Sequence, residues 1–194
     1  MKNGICELPS YTEGGMKTLE RKEANKLWDK WWGEMRREWF KVEVLQDYYG
    51  EDSGPSLDSW LQGRKDESVK LMAKLGSNEW TKSCRQKIQD GAKLIRLHLV
   101  EKPYSPYIEW EIEIYKRKNI PLGGEQVYLV DKKDLSGHEI PSGDMMIFDD
   151  KRVVINTYDN NGLMTHETFY DETDDTSSFL KLKKELFKLA QPLE

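Results

Sequence analysis

The sequence has few of the residues that build disulfide frameworks, metal sites and membrane spans. Its 194 residues include two cysteines, Cys6 and Cys84, and three histidines. Two cysteines are too few for the dense disulfide scaffold of a small secreted domain or for a zinc site of their own. No apolar run approaches the roughly 18 residues that a membrane helix needs, and no apolar segment follows Met1. We therefore expect a cytoplasmic protein with no membrane span and no signal peptide.

An excess of positive charge is also absent. The formal net charge is -5, from 30 Lys and Arg against 35 Asp and Glu. Dedicated binders of duplex DNA usually carry a positive balance, because neutralising phosphates drives their affinity. Nucleic acid is therefore not expected as a direct partner. The length and the seven tryptophans nevertheless allow a sizeable core.

Three segments differ in pattern. Residues 1–15 contain Pro9, Gly14 and Gly15 and show no periodicity, so we predict a loose N-terminal tail. Residues 16–39 place apolar side chains at spacings of three and four, which predicts a Trp-rich N-terminal helix. Residues 40–194 are predicted to form a single mixed α/β domain.

Alternating and helical patterns follow one another along this domain. Period-two alternation or short apolar runs predict strands at 40–44, 93–100, 126–130, 144–148, 151–158 and 163–170. Helical spacing predicts helices at 56–61, 67–75, 78–90 and, after an acidic run, 176–189. The predicted fold is mixed α+β: a single sheet of about six strands with flanking helices. It ends in an antiparallel meander followed by a helix.

Residues 105–118 fit two patterns. Apolar residues alternate with glutamates from Ile108 onward, which predicts a strand, but the same apolar residues also form a helical stripe. Ser105 offers a capping hydroxyl and Pro106 is typical of a first helical turn, so a helix is favoured. With the flanking strands, that helix would complete a right-handed parallel unit.

Acidic residues near the final meander are one candidate site. Asp144, Asp149 and Asp150 could bind Mg²⁺ or serve as acid and base, and His166 could join them in a phosphodiesterase or hydrolase. Asp149 and Asp150 are equally well explained as a hairpin turn, because Asp tolerates positive φ. We therefore assign no catalytic residue, and these four stay candidates only.

The histidines and cysteines offer no local ligand motif. His98, His138 and His166 are far apart in the sequence, whereas zinc ligands usually come in closely spaced pairs. Cys84 lies on the apolar stripe of a predicted helix, as a small buried residue would. No metal and no cofactor are predicted.

The N-terminal helix carries the second candidate site. It combines several Lys and Arg residues with the tryptophans Trp28, Trp31, Trp32 and Trp39. Aromatic and cationic side chains together can stack bases or form a protein interface. The helix can equally pack on its own domain, and its acidic residues would repel phosphate. Packing, a protein partner and a homodimer through this helix remain open, and these four tryptophans are the candidate partner-binding residues.

Several blocks resemble an uncharacterised bacterial family of small proteins, known only as a domain of unknown function. The resembling stretches, in order, are residues 40–48, 59–63, 124–127 and 143–154. Coverage runs from about residue 38 to 192, so the Trp-rich helix is an addition. In actinobacteria, members of that family are often encoded beside helix-turn-helix regulators. The resemblance therefore implies a helix-turn-helix regulator as the partner.

The order of strands and helices also resembles the phospholipase-D-like fold. Catalytic members of that superfamily need a His and a Lys two residues apart, with an Asp downstream. The positions five and seven residues before Asp150 are Met145 and Gly143, so the resemblance implies a copy without catalytic activity. We therefore expect a non-enzymatic regulatory or protein-interaction module. A phosphodiesterase-like enzyme and single-stranded nucleic-acid binding are the alternatives.

Overall fold

One eight-stranded sheet organises the protein. The computed structural model describes residues 16–48, 50, 54–75 and 78–194, so the predicted tail at residues 1–15 lies outside the described residues. The strands are β1 (Lys17–Glu20), β2 (Glu38–Glu43), β3 (Lys93–Val100), β4 (Gln126–Asp131), β5 (Met145–Phe148), β6 (Arg152–Tyr158), β7 (Met164–Tyr170) and β8 (Gln191–Pro192). Their order in the sheet is β1-β7-β6-β5-β2-β3-β4-β8. The predicted single sheet is confirmed, but about six strands was too few.

Helices flank this sheet. The described residues form the α-helices α1 (Arg21–Glu34), α2 (Pro55–Leu61), α3 (Lys65–Leu75), α4 (Glu79–Gln89), α5 (Pro106–Ile114) and α6 (Ser177–Leu189). A π-helix (Tyr115–Gly123) continues α5, and a short 3₁₀ helix (Lys132–Leu135) follows β4. In the part of the chain that the structure describes, no helix is both long and apolar enough to cross a bilayer.

Two kinds of strand pairing meet in the sheet. β2, β3 and β4 are parallel neighbours, whereas β5, β6 and β7 form an antiparallel meander that joins β2 through β5. Every residue of β3 from Leu94 to Val100 is buried, which is typical of a strand that is covered on both faces. The strand–helix–strand unit of β3, α5 and β4 is parallel, also as predicted.

The N-terminal helix is shorter than residues 16–39. Helix α1 covers Arg21–Glu34, while β1 precedes it and β2 begins at Glu38. The helix starts only at Arg21 because the residues before it pair with β7. In that pairing Lys17 lies beside Phe169 and Glu20 beside His166. β8, only two residues long, likewise depends on its partner β4. Such short edge strands have no alternation of their own, which explains why the strand count was too low.

The ambiguous segment is a helix. Ser105 caps α5, because its hydroxyl oxygen accepts a hydrogen bond from the backbone N–H of Ile108 at 3.1 Å. The helix then widens into the π-helix that starts at Tyr115. It ends at Gly124, whose φ of +76° suits a residue without a side chain. A π-helix has no sequence pattern of its own, so the sequence did not predict it.

Each face of the sheet is covered differently. Helix α6, which confirms the helix predicted at 176–189, covers one face with its buried stripe of Phe179, Leu182 and Leu186, while Leu189 is half-buried. Helices α1 and α4 cover part of the other face, where Trp31 and Cys84 belong to one apolar cluster. Beyond that cluster, the same face becomes polar, and this region is the candidate site.

Candidate functional site

Charged side chains gather on one face of the neighbouring strands β2 and β3. Because alternate residues of a strand share a face, Lys41 and Glu43 of β2 point the same way, as do Arg96 and His98 of β3. The parallel register sets Lys41 beside Arg96 and Glu43 beside His98. Four ionisable side chains therefore lie side by side on the polar part of this face.

Five of the charged residues form what we call the ion-pair network: Lys41, Glu43, Arg96, Glu125 and Asp144. The Arg96 guanidinium donates from Nε to Glu125 Oε2 at 2.7 Å and from Nη1 to Glu43 Oε1. The Lys41 ammonium donates to Glu43 Oε1 at 2.7 Å and lies 3.4 Å from Asp144 Oδ2. Buried charges are tolerated when they are paired in this way. Burial alone would lower the pKa of Lys41, but Glu43 and Asp144 outweigh it and raise that pKa.

Two tyrosines hold Asp144, whose side chain is fully buried. Oδ1 accepts hydrogen bonds from the hydroxyl of Tyr48 at 2.5 Å and the backbone N–H of Val44 at 3.1 Å. Oδ2 accepts from the hydroxyl of Tyr158 at 2.9 Å. Burial, and then the negative charge of Asp144, raise the pKa of both tyrosines. Both phenols therefore stay protonated and act as donors to Asp144.

His98 contacts protein groups through both ring nitrogens. Nε2 lies 2.9 Å from the carbonyl oxygen of Leu45, and Nδ1 lies 3.1 Å from Glu111 Oε2 and 3.0 Å from the Tyr115 hydroxyl. Burial alone would lower the pKa of this imidazole. The carboxylates of Glu111 and Glu43 outweigh burial and raise the pKa to about 9. At neutral pH the ring is therefore a cation that donates from both nitrogens.

One group of the described residues also has the spacing of metal ligands. One atom each from Glu43, His98 and Glu111 lies within 4.8 Å of the others, and all three residues are buried. Carboxylate oxygens and imidazole nitrogens are ordinary ligands for divalent cations. When His98 is protonated, the imidazolium ring itself supplies positive charge between the carboxylates of Glu43 and Glu111.

A cleft opens above the ion-pair network, with a volume of about 430 Å³. Its aromatic wall consists of Trp28, Trp80, Trp110, Tyr48, Tyr115 and Tyr158. The π-helix contributes Lys118 and Asn119 as well as Tyr115, and β6 contributes Asn156. Because π-helices are rare and often lie at functional sites, this element supports the cleft as the candidate site.

The predicted acidic residues do not come together. Asp144 precedes β5 and Asp149 and Asp150 follow it, so they lie at opposite ends of that strand. His166 and Glu167 are adjacent on β7, and Glu167 lines the cleft. By strand alternation, His166 therefore points to the other face of the sheet.

Asp149 and Asp150 bind other parts of the protein. The carboxylate of Asp149 accepts backbone N–H groups from Arg36, Arg37 and Glu38 at 2.9, 2.7 and 2.9 Å, which holds the link between α1 and β2. Asp150 accepts a hydrogen bond from Lys183 of α6 at 2.6 Å. Both have positive φ, 54° and 58°, as expected of the predicted turn.

The four candidate tryptophans pack against the sheet and one another. Trp31, Trp32 and Trp39 are 4%, 7% and 2% exposed, while Trp28 is half-buried and lines the cleft. Trp28 stacks on Trp32 with ring centroids 5.3 Å apart. The indole N–H of Trp32 donates to Ser83 Oγ at 2.7 Å. Their contacts are therefore largely internal to the domain.

No sequence motif indicated the charged residues in and below the cleft. A signal was present in the predicted strand at 93–100, where Arg96 and His98 interrupt a run of apolar residues. In a strand covered on both faces, such residues must be buried and therefore need charged or polar partners. The partners Glu43, Glu111 and Glu125 come from three other segments, and no local pattern connects them.

Residues 26–194 match a family model described as Domain of unknown function (DUF6879). The chain belongs to this family. A search of curated proteins found no match.

Among solved structures, the chain is similar to Nuc, a phospholipase D family member from Salmonella typhimurium. The identity is 8% and the TM-score 0.48, over 92% of this chain and 97% of that one. It is also similar to a phosphatidylserine synthase from Haemophilus influenzae Rd KW20. There the identity is 11% and the TM-score 0.39, over 91% of this chain and 39% of that one. At these values the likeness bears on neither activity nor substrate.

Proposed function

We propose that this member of the DUF6879 family is a non-enzymatic regulatory module that binds a small molecule in the cleft. The observation that supports this most directly is the cavity of about 430 Å³ above buried charges that are already paired. Pockets for small molecules typically measure about 300–1,000 Å³.

The ion-pair network makes the cleft suited to binding. Lys41 and Arg96 each contact two carboxylates, and Asp144 is held by two tyrosines. These side chains are ordered before any ligand arrives. Binding to a preorganised site costs less conformational entropy than binding that must order its own contacts.

The contacts of the reactive groups favour recognition over catalysis. A general acid or base must reach the proton that it transfers. Both nitrogens of His98 already contact protein groups, and the Tyr115 hydroxyl donates to Glu43 Oε2 at 2.6 Å. Burial raises the pKa of the Cys84 thiol to about 12, whereas a nucleophilic cysteine needs a low pKa.

The regulatory part of the proposal concerns a protein partner, and the family resemblance points to a helix-turn-helix regulator. Helix α1 is the expected contact, because Trp28 on this helix also lines the cleft. A ligand that changes the position of Trp28 would change the surface of α1. Such coupling requires that the ligand bind one arrangement of α1 more tightly than another.

A small-molecule screen on the full chain tests the binding proposal. The library would contain amines, amino acids, nucleotides and sugar phosphates, with the unfolding midpoint as the first readout and calorimetry as the second. Asn25 is exposed and lines the cleft, so Asn25→Trp should block it. Lys26 is also exposed on α1 but does not line the cleft, so Lys26→Trp is the matched control.

We expect at least one class of compound to raise the midpoint of the wild type and of Lys26→Trp, but not of Asn25→Trp. A screen with no binder, or with binders that Asn25→Trp retains, would contradict the proposal. For the regulatory part, a pull-down from host lysate with and without the ligand should recover a regulator in ligand-dependent amounts. Equal recovery in both conditions would argue against coupling.

A further inference from the structure

We infer that the ligand of the cleft is a small organic cation with several N–H donors, of the alkylammonium or guanidinium class. This inference rests on the proposed function, because it presumes that the cleft binds a small molecule. Three observations carry it: the balance of buried charge, two buried oxygens that lack donors, and the aromatic wall.

Carboxylates outnumber cations around the cleft. Five carboxylate side chains belong to residues that are at most 6% exposed: Glu43, Glu111, Glu125, Asp144 and Glu167. The positive groups are Arg96, the partly buried Lys41 and Lys118, and His98. Counted by side-chain type, with His98 as a cation, the acidic groups exceed the positive groups by one. Excess buried charge is costly, and a monovalent cation in the cleft would balance it.

The positive groups of the network are poorly placed to receive an anion. Arg96 already pairs with Glu43 and Glu125, and Lys41 already pairs with Glu43 and Asp144. An anionic ligand would have to displace one of these carboxylates or lie close to them. Either arrangement loses favourable contacts or adds repulsion in a region of low dielectric.

Two amide oxygens lack hydrogen-bond donors. Asn119 and Asn156 line the cleft and are each 7% exposed. Their Oδ1 atoms are buried without a hydrogen-bond partner among the described residues. Their amide nitrogens are already used, donating to Glu125 at 3.0 Å and to the Tyr158 hydroxyl at 3.2 Å. A buried acceptor without a donor is destabilising, so a ligand that carries N–H groups complements these oxygens.

The aromatic wall also favours a cation. The faces of Trp and Tyr rings carry negative electrostatic potential and attract ammonium and guanidinium groups. The protein already has such a contact there, since the Arg96 guanidinium lies 5.6 Å from the centre of the Tyr115 ring. Trp28, Trp80 and Trp110 extend the wall around the cavity.

A charge swap at Asn25 tests the sign of the ligand. Asn25→Asp and Asn25→Lys place opposite charges at the exposed rim of the cleft, where neither threatens the core. The probes are butylamine and butylguanidine, each a monovalent cation at neutral pH, and succinate and adenosine monophosphate as anions. Calorimetry on the full chain gives each dissociation constant, and circular dichroism confirms that each variant is folded.

We expect butylamine or butylguanidine to bind the wild type. Binding should be about threefold tighter to Asn25→Asp and about threefold weaker to Asn25→Lys, as one charge pair near the surface would give. Lys188→Glu, exposed on α6 at the other face of the sheet, should leave the constant nearly unchanged. Preferential binding of an anion that Asn25→Trp abolishes would overturn the cation class and leave the proposed function standing. If no probe and no library compound bound, both would fall. Cation binding that ignores the charge at residue 25 would place the ligand elsewhere and overturn the inference.

Discussion

Nδ1 of His98 lies 3.1 Å from Oε2 of Glu111, and the other nitrogen of the same ring faces the carbonyl oxygen of Leu45 at 2.9 Å. Both neighbours are acceptors, so the ring matches them best when it carries two protons. The His98 side chain is only 1% exposed, which makes this charged contact one of the most deeply buried in the protein. Its protonation should therefore be linked to folding.

The first prediction concerns pH. The pKa of His98 is about 9 in the folded protein, against about 6.5 in an unfolded chain. A raised pKa stabilises the fold fully below about pH 6.5, and this stabilisation is lost as the pH rises through 9. Its magnitude is on the order of 3 kcal/mol. Denaturant unfolding of the wild type at intervals from pH 6 to 9.5 should show the decline.

The control for this prediction is a pair of histidine variants. His98→Gln should be less stable than the wild type at pH 6 and nearly flat with pH over the same range. His166→Gln should keep the wild-type slope, because His166 points away from the cleft. A wild-type profile that is level from pH 6 to 9.5 would show that His98 is not charged in the folded protein.

The second prediction concerns Asp149. Asp149→Ala removes the acceptor for three backbone N–H groups and places alanine at a φ of 54°. We expect a loss of about 3 kcal/mol in the free energy of unfolding. Asp149→Asn should lose less, because asparagine tolerates this φ and keeps an accepting oxygen. Asp150→Ala also places alanine at a positive φ, 58°, but it loses only a partly exposed ion pair with Lys183, so it should lose about 2 kcal/mol, less than Asp149→Ala. Equal losses in all three variants would contradict this account.

The third prediction contrasts two glycines. A Cβ atom at Gly143 would lie 1.7 Å from the carbonyl oxygen of Asn156, which is backbone and cannot swing away. Gly143→Ala should therefore lower stability by at least about 4 kcal/mol or prevent folding. A Cβ at Gly33 of α1 meets nothing within 4 Å. Gly33→Ala should stabilise the protein by about 0.5–1 kcal/mol, because alanine favours helix. Thermal unfolding of both variants measures these changes. A Gly143→Ala variant as stable as the wild type would show that the Asn156 carbonyl of β6 has room to move away from residue 143.

The fourth prediction separates packing from docking in the N-terminal helix. Trp31→Ala and Trp32→Ala each remove a buried ring, so we expect losses of about 3–5 kcal/mol in the free energy of unfolding. Trp28→Ala should cost less, because that ring is half-buried. Chemical denaturation of the three variants measures these values. Near-wild-type stability in Trp31→Ala would instead favour the interface interpretation of these tryptophans.

Much of the fold could be predicted from local pattern. Lys93–Val100 forms the predicted strand because its apolar run is long and bounded by Gly91, and α5 begins at the predicted Ser105 cap. The meander strands follow from alternation and from turn residues such as Asp149. These features depend on neighbours within a few residues, and the sequence displays such neighbours directly.

The candidate site depended on contacts that no local pattern contains. The carboxylates of Asp144 and Asp149 are five residues apart in the sequence, yet a four-residue strand separates them. Arg96 meets Glu43 and Glu125 only because the parallel register and the end of the π-helix bring three segments together. Sequence proximity therefore suggested the wrong grouping of charges, whereas strand register produced the real one.

The sequence by itself determined the mixed α+β class, the single sheet, most helix and strand positions, and the turn at Asp149 and Asp150. Periodicity, caps and turn chemistry act over short stretches, so one chain read in order is enough to predict them. Only the tertiary structure decided the edge strands β1 and β8, the burial of the tryptophans, and the charged cleft. Each of these depends on which distant segments pair, and that choice is made by the packing of the whole sheet.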